Sequence, residues 1–404
     1  MIFSFFLLFL SFLTLPFGCK REIQDLPKLK VRDRTLVCNW IAEGLFSTEN
    51  LPFSLSSSPA LLQRGDFWGG REEEIVFYSA NLPNVYILSP TLSLLKKLPF
   101  SSSRPKIFSF LEKDFLTLTN GKEIFFFVKG ERGSLTRRYR LRLADSFWLK
   151  DFFVTEQEGK MRVWTLERKG EESFLFSYSL PEGKIISQEK LSAGRFLGRG
   201  EGTLFILGER KIYARGRNNW DQELGFNDFM AQGFCRTDGK TLFLLLFDPT
   251  NKKSQLLTYQ TEDGKELERK GLGGNGIFFN DFSLYDFDND GEKEKVLTYS
   301  GREGGILVMK GEKVLWRKRF APSLSYHRVI VYLLGVFETD EGTEIMVNLI
   351  LEKEKGRRED WFYRLSPQLR TREASDLEDV VYACLPLGNG FLTVGEGLAI
   401  YQWE

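Results

Sequence analysis

Short runs of apolar and aromatic residues alternate with polar turns along most of the chain. A turn rich in Gly, Asn, Asp or Glu is followed by a run of β-forming residues, and this unit recurs about every 40 to 50 residues. The runs begin, in order, at Glu74, Glu123, Met161, Thr203, Thr241, Glu294, Glu344 and Phe391. Flanking stretches alternate with a period of two, which is typical of strands with one face packed against a neighbouring sheet.

The repeat length predicts a β-propeller. A period in the forties with four short strands per unit is the sequence pattern of propeller blades. An apolar run such as RVIVYLLGVF (328–337) precedes the turn, and a polar strand such as GEKVLWRKRF (311–320) closes the unit. Aromatic residues make up 14% of the chain, which favours strands over helices. A β-sandwich or a solenoid is the competing fold.

The two ends of the repeat region predict how the fold closes. From Val380 onwards the last unit supplies three strands, and TLVCNWIAEGLF (35–46) is a strand without a unit of its own. Pairing them completes a blade and removes open sheet edges, which invite aggregation. We therefore predict a single domain at 35–404, an all-β, eight-bladed propeller closed by this pairing, with seven blades as the alternative.

The N-terminal residues predict export. Residues 1–19 form an uncharged apolar segment that ends in Gly18 and Cys19. This junction resembles the lipobox of bacterial lipoproteins, which implies lipidation of Cys19, although Pro16 and the lack of a preceding basic residue depart from that pattern. Plain secretion and an uncleaved N-terminal anchor are the alternatives. Residues 20–34 are charged and predict a tether between membrane and domain.

Three further cysteines, Cys38, Cys235 and Cys384, are far apart and form no C-x-x-C spacing of a zinc or redox site. They are expected to be separate buried thiols, with one disulfide as the alternative. The predicted closure places Cys38 on the outermost strand of the joined blade and Cys384 on its innermost strand. That separation argues against a bond between them, because a disulfide requires Cα atoms within about 7 Å.

The stretch YDFDNDGEKEKVL (285–297) contains the clearest candidate site. Asp286, Asp288 and Asp290 alternate ahead of a glycine, and such closely spaced carboxylates repel one another unless a cation neutralises them. Calcium takes oxygen ligands from tightly folded loops. The EF-hand pattern fails, because its twelfth position is Leu297 and the flanks are β-like. A polar turn whose carboxylates only cap backbone N–H groups is the simpler alternative.

With Glu294 at its ninth position, the loop resembles the D-x-D-x-D-G-x-x-[DE] calcium loop of FG-GAP or VCBS-type propeller repeats. The resemblance implies a structural Ca²⁺ bound by the carboxylates of Asp286, Asp288, Asp290 and Glu294 and by the backbone carbonyl of Glu292. In that family the loop joins the first and second strands of a blade, which is the place that the repeat gives it here.

Two other loops keep part of this pattern. The stretch GDFWGGREEEIVFYS retains Asp66 and Glu74 but has lost its middle carboxylates, so it is not expected to bind calcium well. The stretch GVFETDEGTEIMV retains Glu338, Asp340 and Glu344 but has Val336 at the first ligand position, so calcium binding is doubtful there.

Two apparent motifs are better explained as structural features than as binding or catalytic sites. GLGGNG (271–276) matches the dinucleotide fingerprint, but the residues that follow it form a strand rather than the helix that a phosphate site needs. It therefore predicts a loop between blades. His327 is the single histidine of the chain and begins an apolar strand, so it is expected to be structural rather than catalytic.

The net charge and the lack of a catalytic residue pattern limit the classes of function that we expect. With 56 basic and 55 acidic side chains the net charge is +1, so nucleic acid is not an expected partner. No pattern of nucleophile, base and orienting acid appears. We expect a non-catalytic binding or scaffold module of the cell envelope, monomeric, with a protein or carbohydrate partner and membrane contact through its N-terminus only. A propeller enzyme acting on polysaccharide, a quinone-dependent dehydrogenase and a purely structural propeller are the alternatives.

Overall fold

The structure is a computed structural model. It describes residues 36–42, 60–67, 73–79, 84–99, 105–130, 134–144, 146–157, 159–191, 194–200, 202–225, 232–248, 253–320, 326–339, 341–353, 357–377, 381–387, 390–394 and 398–403. Every regular element in these ranges is a β-strand, so the predicted all-β fold class is confirmed. None of the described segments is a helix of the length and hydropathy that crossing a membrane requires. The predicted signal segment at 1–19, with Cys19, and the predicted tether at 20–34 lie outside these ranges.

Most of the described strands belong to antiparallel sheets of four strands that follow one another in the chain. The first three of these sheets contain β2 (Ala60–Gly65), β3 (Glu74–Ser79), β4 (Val85–Leu88) and β5 (Leu94–Leu98); β6 (Lys106–Phe110), β7 (Lys113–Thr119), β8 (Glu123–Lys129) and β9 (Leu135–Arg142); and β10 (Trp148–Gln157), β11 (Lys160–Lys169), β12 (Glu172–Ser179) and β13 (Ile185–Leu191). The next two contain β14 (Arg195–Gly200), β15 (Thr203–Leu207), β16 (Lys211–Gly216) and β17 (Trp220–Glu223); and β18 (Gln232–Thr237), β19 (Thr241–Asp248), β20 (Lys253–Gln260) and β21 (Glu266–Leu272).

Two further groups of four share one larger sheet. They are β22 (Ile277–Tyr285), β23 (Glu294–Gly301), β24 (Gly304–Lys310) and β25 (Lys313–Phe320); and β26 (Tyr326–Thr339), β27 (Gly342–Lys353), β28 (Arg358–Leu365) and β29 (Thr371–Asp376). The link between the groups is a single residue pair, Gly301 of β23 with Val329 of β26. Each group is therefore still a four-stranded meander.

The strand nearest the N-terminus joins the last three strands of the chain. β1 (Leu36–Ala42) pairs antiparallel with β32 (Leu398–Trp403), which continues into β31 (Gly390–Val394) and β30 (Ala383–Leu387). The register pairs Leu36 with Trp403 and Cys38 with Tyr401. This sheet thus combines the two ends of the described chain.

Burial within a group explains why its strands differ in composition. All eight residues of β23, a second strand, are buried, and β24 beside it is buried except at its last residue. The fourth strand β25 instead alternates between exposed and half-buried positions along most of its length. A strand covered on both faces carries few charged residues, and the two charged residues of β23 both lie at its start, whereas a strand at a sheet edge can carry charge along its length.

Apolar clusters lie between consecutive sheets. One of them packs Phe126 of β8 against Phe152 of β10, and corresponding clusters connect each following pair of groups up to β26–β29 and β30–β32. The group β2–β5 packs on β6–β9 at one side. A further cluster combines Phe77 of β3 with Tyr332 of β26 and Leu392 of β31. Sheets stacked face to face in chain order are the arrangement of a β-propeller fold.

The repeat predicted the second strand of each group, with one error. Seven of the eight predicted positions lie within the first three residues of a second strand, whereas Glu123 begins β8, the third strand of its sheet. The prediction for Glu123 is therefore wrong. The turn that opens the second strand there consists of Leu111 and Glu112, both with positive φ (47° and 59°). The sequence does not reveal this turn, because it lacks the Gly, Asn or Asp that usually occupies such positions.

Cys235 and Cys384 are free, buried thiols, as predicted. Burial raises the pKa of Cys235 to about 12, which disfavours the reactive thiolate. The side chain of Cys38 lies outside the described side chains. Its strand β1 and the Cys384 strand β30 are at opposite edges of their four-stranded sheet.

Candidate functional site

The Asp286–Glu294 loop connects β22 to β23, the first and second strands of their group. Its carboxylates cap its own backbone: the Asp286 oxygens accept hydrogen bonds from the N–H groups of Asp290 (3.2 Å) and Gly291 (2.9 Å). Asp290 Oδ1 accepts from the N–H of Glu292 (2.9 Å). Gly291 has φ of 89°, the left-handed region that glycine adopts without strain. The sequence therefore folds this segment into a compact turn.

Glu294 lies beneath this turn and is 1% exposed. Its Oε2 accepts a hydrogen bond from the N–H of Phe287 (2.8 Å). Its Oε1 is buried and has no hydrogen bond. A buried carboxylate oxygen without a donor is costly unless a cation compensates it.

Asp286, Asp288 and Glu294 offer carboxylate oxygens that lie within 4.8 Å of one another. The structure thus brings together three of the predicted ligands. Asp290, like Asp288, pairs with the ammonium group of Lys310. The predicted role of the Glu292 carbonyl stays a prediction. Carboxylate oxygens at this spacing, with the buried Glu294 Oε1 among them, fit the donor set that a hard cation such as Ca²⁺ takes.

A cation from the chain itself already contacts this cluster. Lys310 Nζ, at the end of β24, lies 2.8 Å from Asp288 Oδ2 and 3.2 Å from Glu294 Oε1, and it also pairs with Asp290. The contact with Glu294 Oε1 is an ion pair that lacks the geometry of a hydrogen bond. Hydrogen bonds to Asp288 and Asp290 raise the pKa of Lys310, and its hydrogen bond lowers the pKa of Asp290.

Lys310 changes the interpretation of the aspartate repeat. The sequence predicted that these carboxylates repel one another unless a cation neutralises them, and the structure supplies an ammonium group for that role. Sequence reasoning missed it because Lys310 belongs to another strand. The hairpin register was the available signal: Lys295 of β23 pairs with Met309, which places the next residue of β24 beside Glu294. A bound metal ion would have to displace this ammonium group.

The first related loop shares one detail with the Asp286–Glu294 loop. Glu74 is 2% exposed, and its Oε2 accepts a hydrogen bond from the N–H of Phe67 (2.7 Å), seven residues earlier, as Glu294 does from Phe287. Asp66 pairs with Lys129 (2.7 Å). Residues 68–72 lie outside the described ranges. The glutamate at the start of the second strand therefore has a structural role in both loops.

The second related loop surrounds its buried glutamate with arginines. Glu344 is fully buried and accepts two hydrogen bonds from Arg364 (2.7 and 2.8 Å) and one from Arg372 (2.8 Å). Glu338 accepts a hydrogen bond from the Thr343 hydroxyl (2.9 Å), and Asp340 lies outside the described residues. Both oxygens of Glu344 are occupied by guanidinium groups, so this position offers no lone carboxylate to a metal ion.

The remaining candidates have structural positions. GLGGNG (271–276) covers the last two residues of β21 and the tight turn to β22, with Gly273, Gly274 and Gly276 all at positive φ. A strand follows it, as predicted. His327 is 55% exposed and lies 3.9 Å from Glu352 through its Nε2. No further group of three metal-ligating side chains was found among the described residues.

No protein-family model matches this chain, and no curated protein matches its sequence. Solved structures resemble its fold. They include BamB from Moraxella catarrhalis (11% identity, 86% of this chain and 99% of that one, TM-score 0.48). BBS1N in complex with ARL6DN (13%, 83% and 97%, 0.47) and virginiamycin B lyase from Staphylococcus aureus (11%, 91% and 99%, 0.41) are two others. Enzymes and binding proteins both occur among these likenesses, which concern the β-propeller fold alone and assign no activity or partner.

Proposed function

We propose that this chain is an exported, membrane-tethered, non-catalytic β-propeller that serves as a binding or scaffold module of the cell envelope. The observation that carries the proposal is the face-to-face packing of four-stranded sheets through apolar clusters that follow one another in chain order. Such packing makes a rigid body whose loops are displayed at the two ends of the strands. A surface of that kind binds partners without requiring acid–base residues.

We further propose that the blades number eight and form a closed ring. The pairing of β1 with β32 supports closure, and so does the cluster that combines Phe77, Tyr332 and Leu392 from the first and last groups. In a closed ring every blade packs between two others, and only short, protected sheet edges remain. Each end of the domain then stabilises the other.

A designed disulfide tests this closure. Asn39 of β1 pairs with Ile400 of β32, and directly opposed residues of antiparallel strands have Cα atoms about 4.5–5.5 Å apart, within disulfide range. We expect Asn39→Cys/Ile400→Cys, in a Cys38→Ser background, to oxidise and to migrate as a compact species. Asn39→Cys paired with Ser187→Cys on β13 serves as the control that should not oxidise. Failure of the first pair to form, or equal oxidation of both pairs, would contradict the closed ring.

The membrane tether is proposed from the sequence of residues 1–34. We propose lipidation at Cys19, and the charged residues 20–34 that follow it would span the distance between the membrane and the domain. Cell fractionation with metabolic fatty-acid labelling tests this part. We expect label and membrane association in the wild type and loss of both in Cys19→Ser. If the protein carries no label and Cys19→Ser still binds the membrane, the tether is an uncleaved N-terminal anchor rather than a lipid. If the protein carries no label and is soluble, it is secreted without a tether.

We also propose a structural Ca²⁺ at the Asp286–Glu294 loop. Asp286, Asp288 and Glu294 would hold the ion, and the bound ion would cross-link the loop to the buried start of β23. The support is the shared position of three carboxylates and the buried Oε1 of Glu294, which lacks a hydrogen bond. Lys310 neutralises the same carboxylates when calcium is scarce, so calcium binding and lysine pairing are competing states.

An enzyme remains the alternative for this fold, and a turnover assay separates the two. The buried carboxylates Glu74 and Glu344 are tied to a backbone N–H and to two arginines, respectively, which are structural roles. We therefore expect no release of unsaturated or reducing ends from acidic or neutral polysaccharides incubated with the full chain. Sustained turnover that is lost in a surface variant would overturn the non-catalytic proposal.

A further inference from the structure

The two ends of the strands differ in the apolar side chains that they expose. In an antiparallel meander, the turns between first and second strands and between third and fourth strands lie at one end, and the other connections lie at the opposite end. The Asp286–Glu294 loop is a turn of the first kind. We call its end of the strands the Asp-loop side.

Six of the seven large apolar side chains that are exposed among the described residues lie on the Asp-loop side. They are Leu94 at the start of β5, Leu111 in the β6–β7 turn, Ile185 and Ile186 at the start of β13, Leu267 at the start of β21 and Val314 at the start of β25. We call these six residues the aliphatic rim. The seventh, Trp148, begins the first strand β10 and lies at the opposite end. Single exposed apolar residues are common on soluble proteins, so the evidence is their shared position.

The strands that carry the rim extend beyond the neighbouring sheets. The first four residues of β13 are all exposed, and so are the first two residues of β21 and of β25. Neighbouring residues of a strand point to opposite faces of its sheet. Because successive residues are exposed here, neither face of the sheet is covered at these strand starts.

The rim has no single sign of charge around it. An exposed lysine and an exposed glutamate lie within three residues of four of its positions: Glu112 and Lys113, Glu182 and Lys184, Lys265 and Glu266, and Glu312 and Lys313. The aspartates of the Asp286–Glu294 loop are on the same side. Apolar contact, rather than attraction to one kind of charge, is therefore what the rim offers a partner.

The distribution of the rim favours a flat partner. Its residues come from five of the four-stranded groups, and these groups stack in chain order through apolar clusters. The rim positions are therefore spread across the domain instead of lining one pocket. A peptide or a sugar chain would cover a few of them, whereas a lipid bilayer surface can contact all of them. Aliphatic side chains enter the boundary of headgroups and acyl chains, and adjacent lysines reach the headgroups.

The path of the N-terminal segment points to the same side, and this step rests on the proposed tether. Leu36 begins β1 opposite Trp403, the end of the third strand β32, so the chain enters β1 from the Asp-loop side. The Arg64 guanidinium, near the end of β2, donates to the Pro386 carbonyl of β30 (2.7 Å). This contact aligns the first group with the last, so a tether to the membrane and the rim lie on one side of the domain.

From these observations we infer that the Asp-loop side of the domain docks on the surface of a lipid bilayer through the aliphatic rim. The sequence predicted membrane contact through the N-terminus only, and the rim adds a contact from the domain itself. A weak apolar contact is sufficient, because the tether keeps the rim at a high effective concentration near the bilayer. Docking would turn the opposite end of the strands away from the membrane.

Dye labelling of the full chain, reconstituted in phosphatidylcholine vesicles, tests this inference. A nitrobenzoxadiazole dye is attached at Leu94→Cys or Val314→Cys, with Trp148→Cys as the matched control, since these positions are 58%, 48% and 62% exposed. The background is Cys38→Ser, and the same chain without an added cysteine corrects for other labelling. We expect a blue shift and quenching by spin-labelled acyl chains for the two rim dyes, and neither for the dye at position 148.

A rim variant tests whether these side chains carry the contact. Ile185→Asn/Ile186→Asn should lower the ratio of docked to undocked chain, measured by quenching of the dye at position 314, about tenfold, because two aliphatic side chains are lost from the interface. Trp148→Asn is the matched control and should stay within about twofold. Added salt or phosphatidylglycerol should change the ratio little, because the charges around the rim are mixed.

Three results would overturn the inference. They are equal dye responses at the rim and at position 148 in a chain that sediments with the vesicles, unchanged quenching in Ile185→Asn/Ile186→Asn, and a rim response that needs no vesicles and grows with protein concentration. The last result would assign the rim to contact between copies of the chain. The first would leave the tether standing. Quenched rim dyes in Cys19→Ser would instead uphold docking without lipidation, so the two proposals can fail separately.

Discussion

Two buried glutamates occupy corresponding positions in neighbouring groups of strands, yet their surroundings differ. Glu294 begins β23 and is compensated by one backbone N–H and by Lys310, which leaves its Oε1 without a hydrogen bond. Glu344, near the start of β27, is enclosed by Arg364 and Arg372. In the Asp286–Glu294 loop one oxygen of the buried glutamate lacks a hydrogen bond, so its compensation is incomplete. In the second loop both oxygens of Glu344 accept hydrogen bonds from arginines of later strands, so its compensation is complete.

The Glu344 cluster should show the largest effect of a single substitution. Arg364 is 12% exposed and also pairs with Glu373, which is 4% exposed. Burial lowers the pKa of Arg364, but hydrogen bonds and the charges of Glu344 and Glu373 raise it overall. Arg364→Met leaves two buried carboxylates without this partner, so we expect a loss of about 3–5 kcal/mol in the free energy of unfolding. Denaturant titration measures it, and added calcium should not restore the loss. A loss near that of an ordinary surface substitution would contradict the cluster's structural role.

Calcium should distinguish the Asp286–Glu294 loop from the Glu344 cluster. An ion that binds only the folded chain stabilises it by about 2.7 kcal/mol at a hundred times its dissociation constant. We expect the midpoint of thermal unfolding to rise with calcium and to fall with chelator. Lys310→Met should lower the midpoint in chelator and enlarge the rise with calcium, because the ion no longer competes with an ammonium group. Equal midpoints in calcium and chelator for both proteins would remove the metal proposal.

A third buried glutamate extends the comparison to a carboxylate whose hydrogen bonds come from neutral hydroxyl groups. Glu167 is fully buried, accepts hydrogen bonds from Thr165 and Tyr178, and has an Oε2 without a hydrogen bond. Burial raises the pKa of Glu167 above 4.5, so the folded state binds the proton more tightly. Its stabilising contribution is present below pH 4.5 and is lost as the pH rises through the folded pKa.

Glu167→Gln mimics the protonated form at every pH. We therefore expect this variant to gain stability relative to wild type as the pH increases from 4 to 8, by about 1 kcal/mol or more. Denaturant titrations across this range measure the difference. A difference that stays constant with pH would show that Glu167 titrates at the same pH in the folded and unfolded chain.

Asp288→Asn should have the smallest effect on the chain in chelator. Asp288 is 56% exposed, and its pair with Lys310 is a surface ion pair, which solvent screens and which contributes little to the free energy of unfolding. The same variant should lose most of the calcium response, because it removes one of three clustered carboxylates. A retained calcium response would move the site away from Asp288.

The fold was predictable because its determinants are local. Turn residues and period-two alternation marked the second strand in seven groups, and only the turn of Leu111 and Glu112, which lacks the usual residue types, was missed. The all-β class is confirmed, whereas the blade number and the closed ring stay predictions. So do the lipidation of Cys19 and the calcium ion.

The candidate sites were predictable only where a single loop supplies them. Asp286, Asp288 and Glu294 are close in sequence, and their cluster was expected. Lys310 comes from a neighbouring strand, so finding it required the register of the hairpin. Contacts between sheets depend on packing, which sequence periodicity does not specify.

Calcium titration by calorimetry on the full chain tests the central claim most directly, namely that the Asp286–Glu294 loop exchanges Lys310 for a metal ion while the Glu344 cluster does not. The account predicts one Ca²⁺ bound per chain, tighter binding in Lys310→Met and no binding in Asp288→Ala. Binding that is absent from wild type and Lys310→Met alike, or that persists in Asp288→Ala, would contradict it.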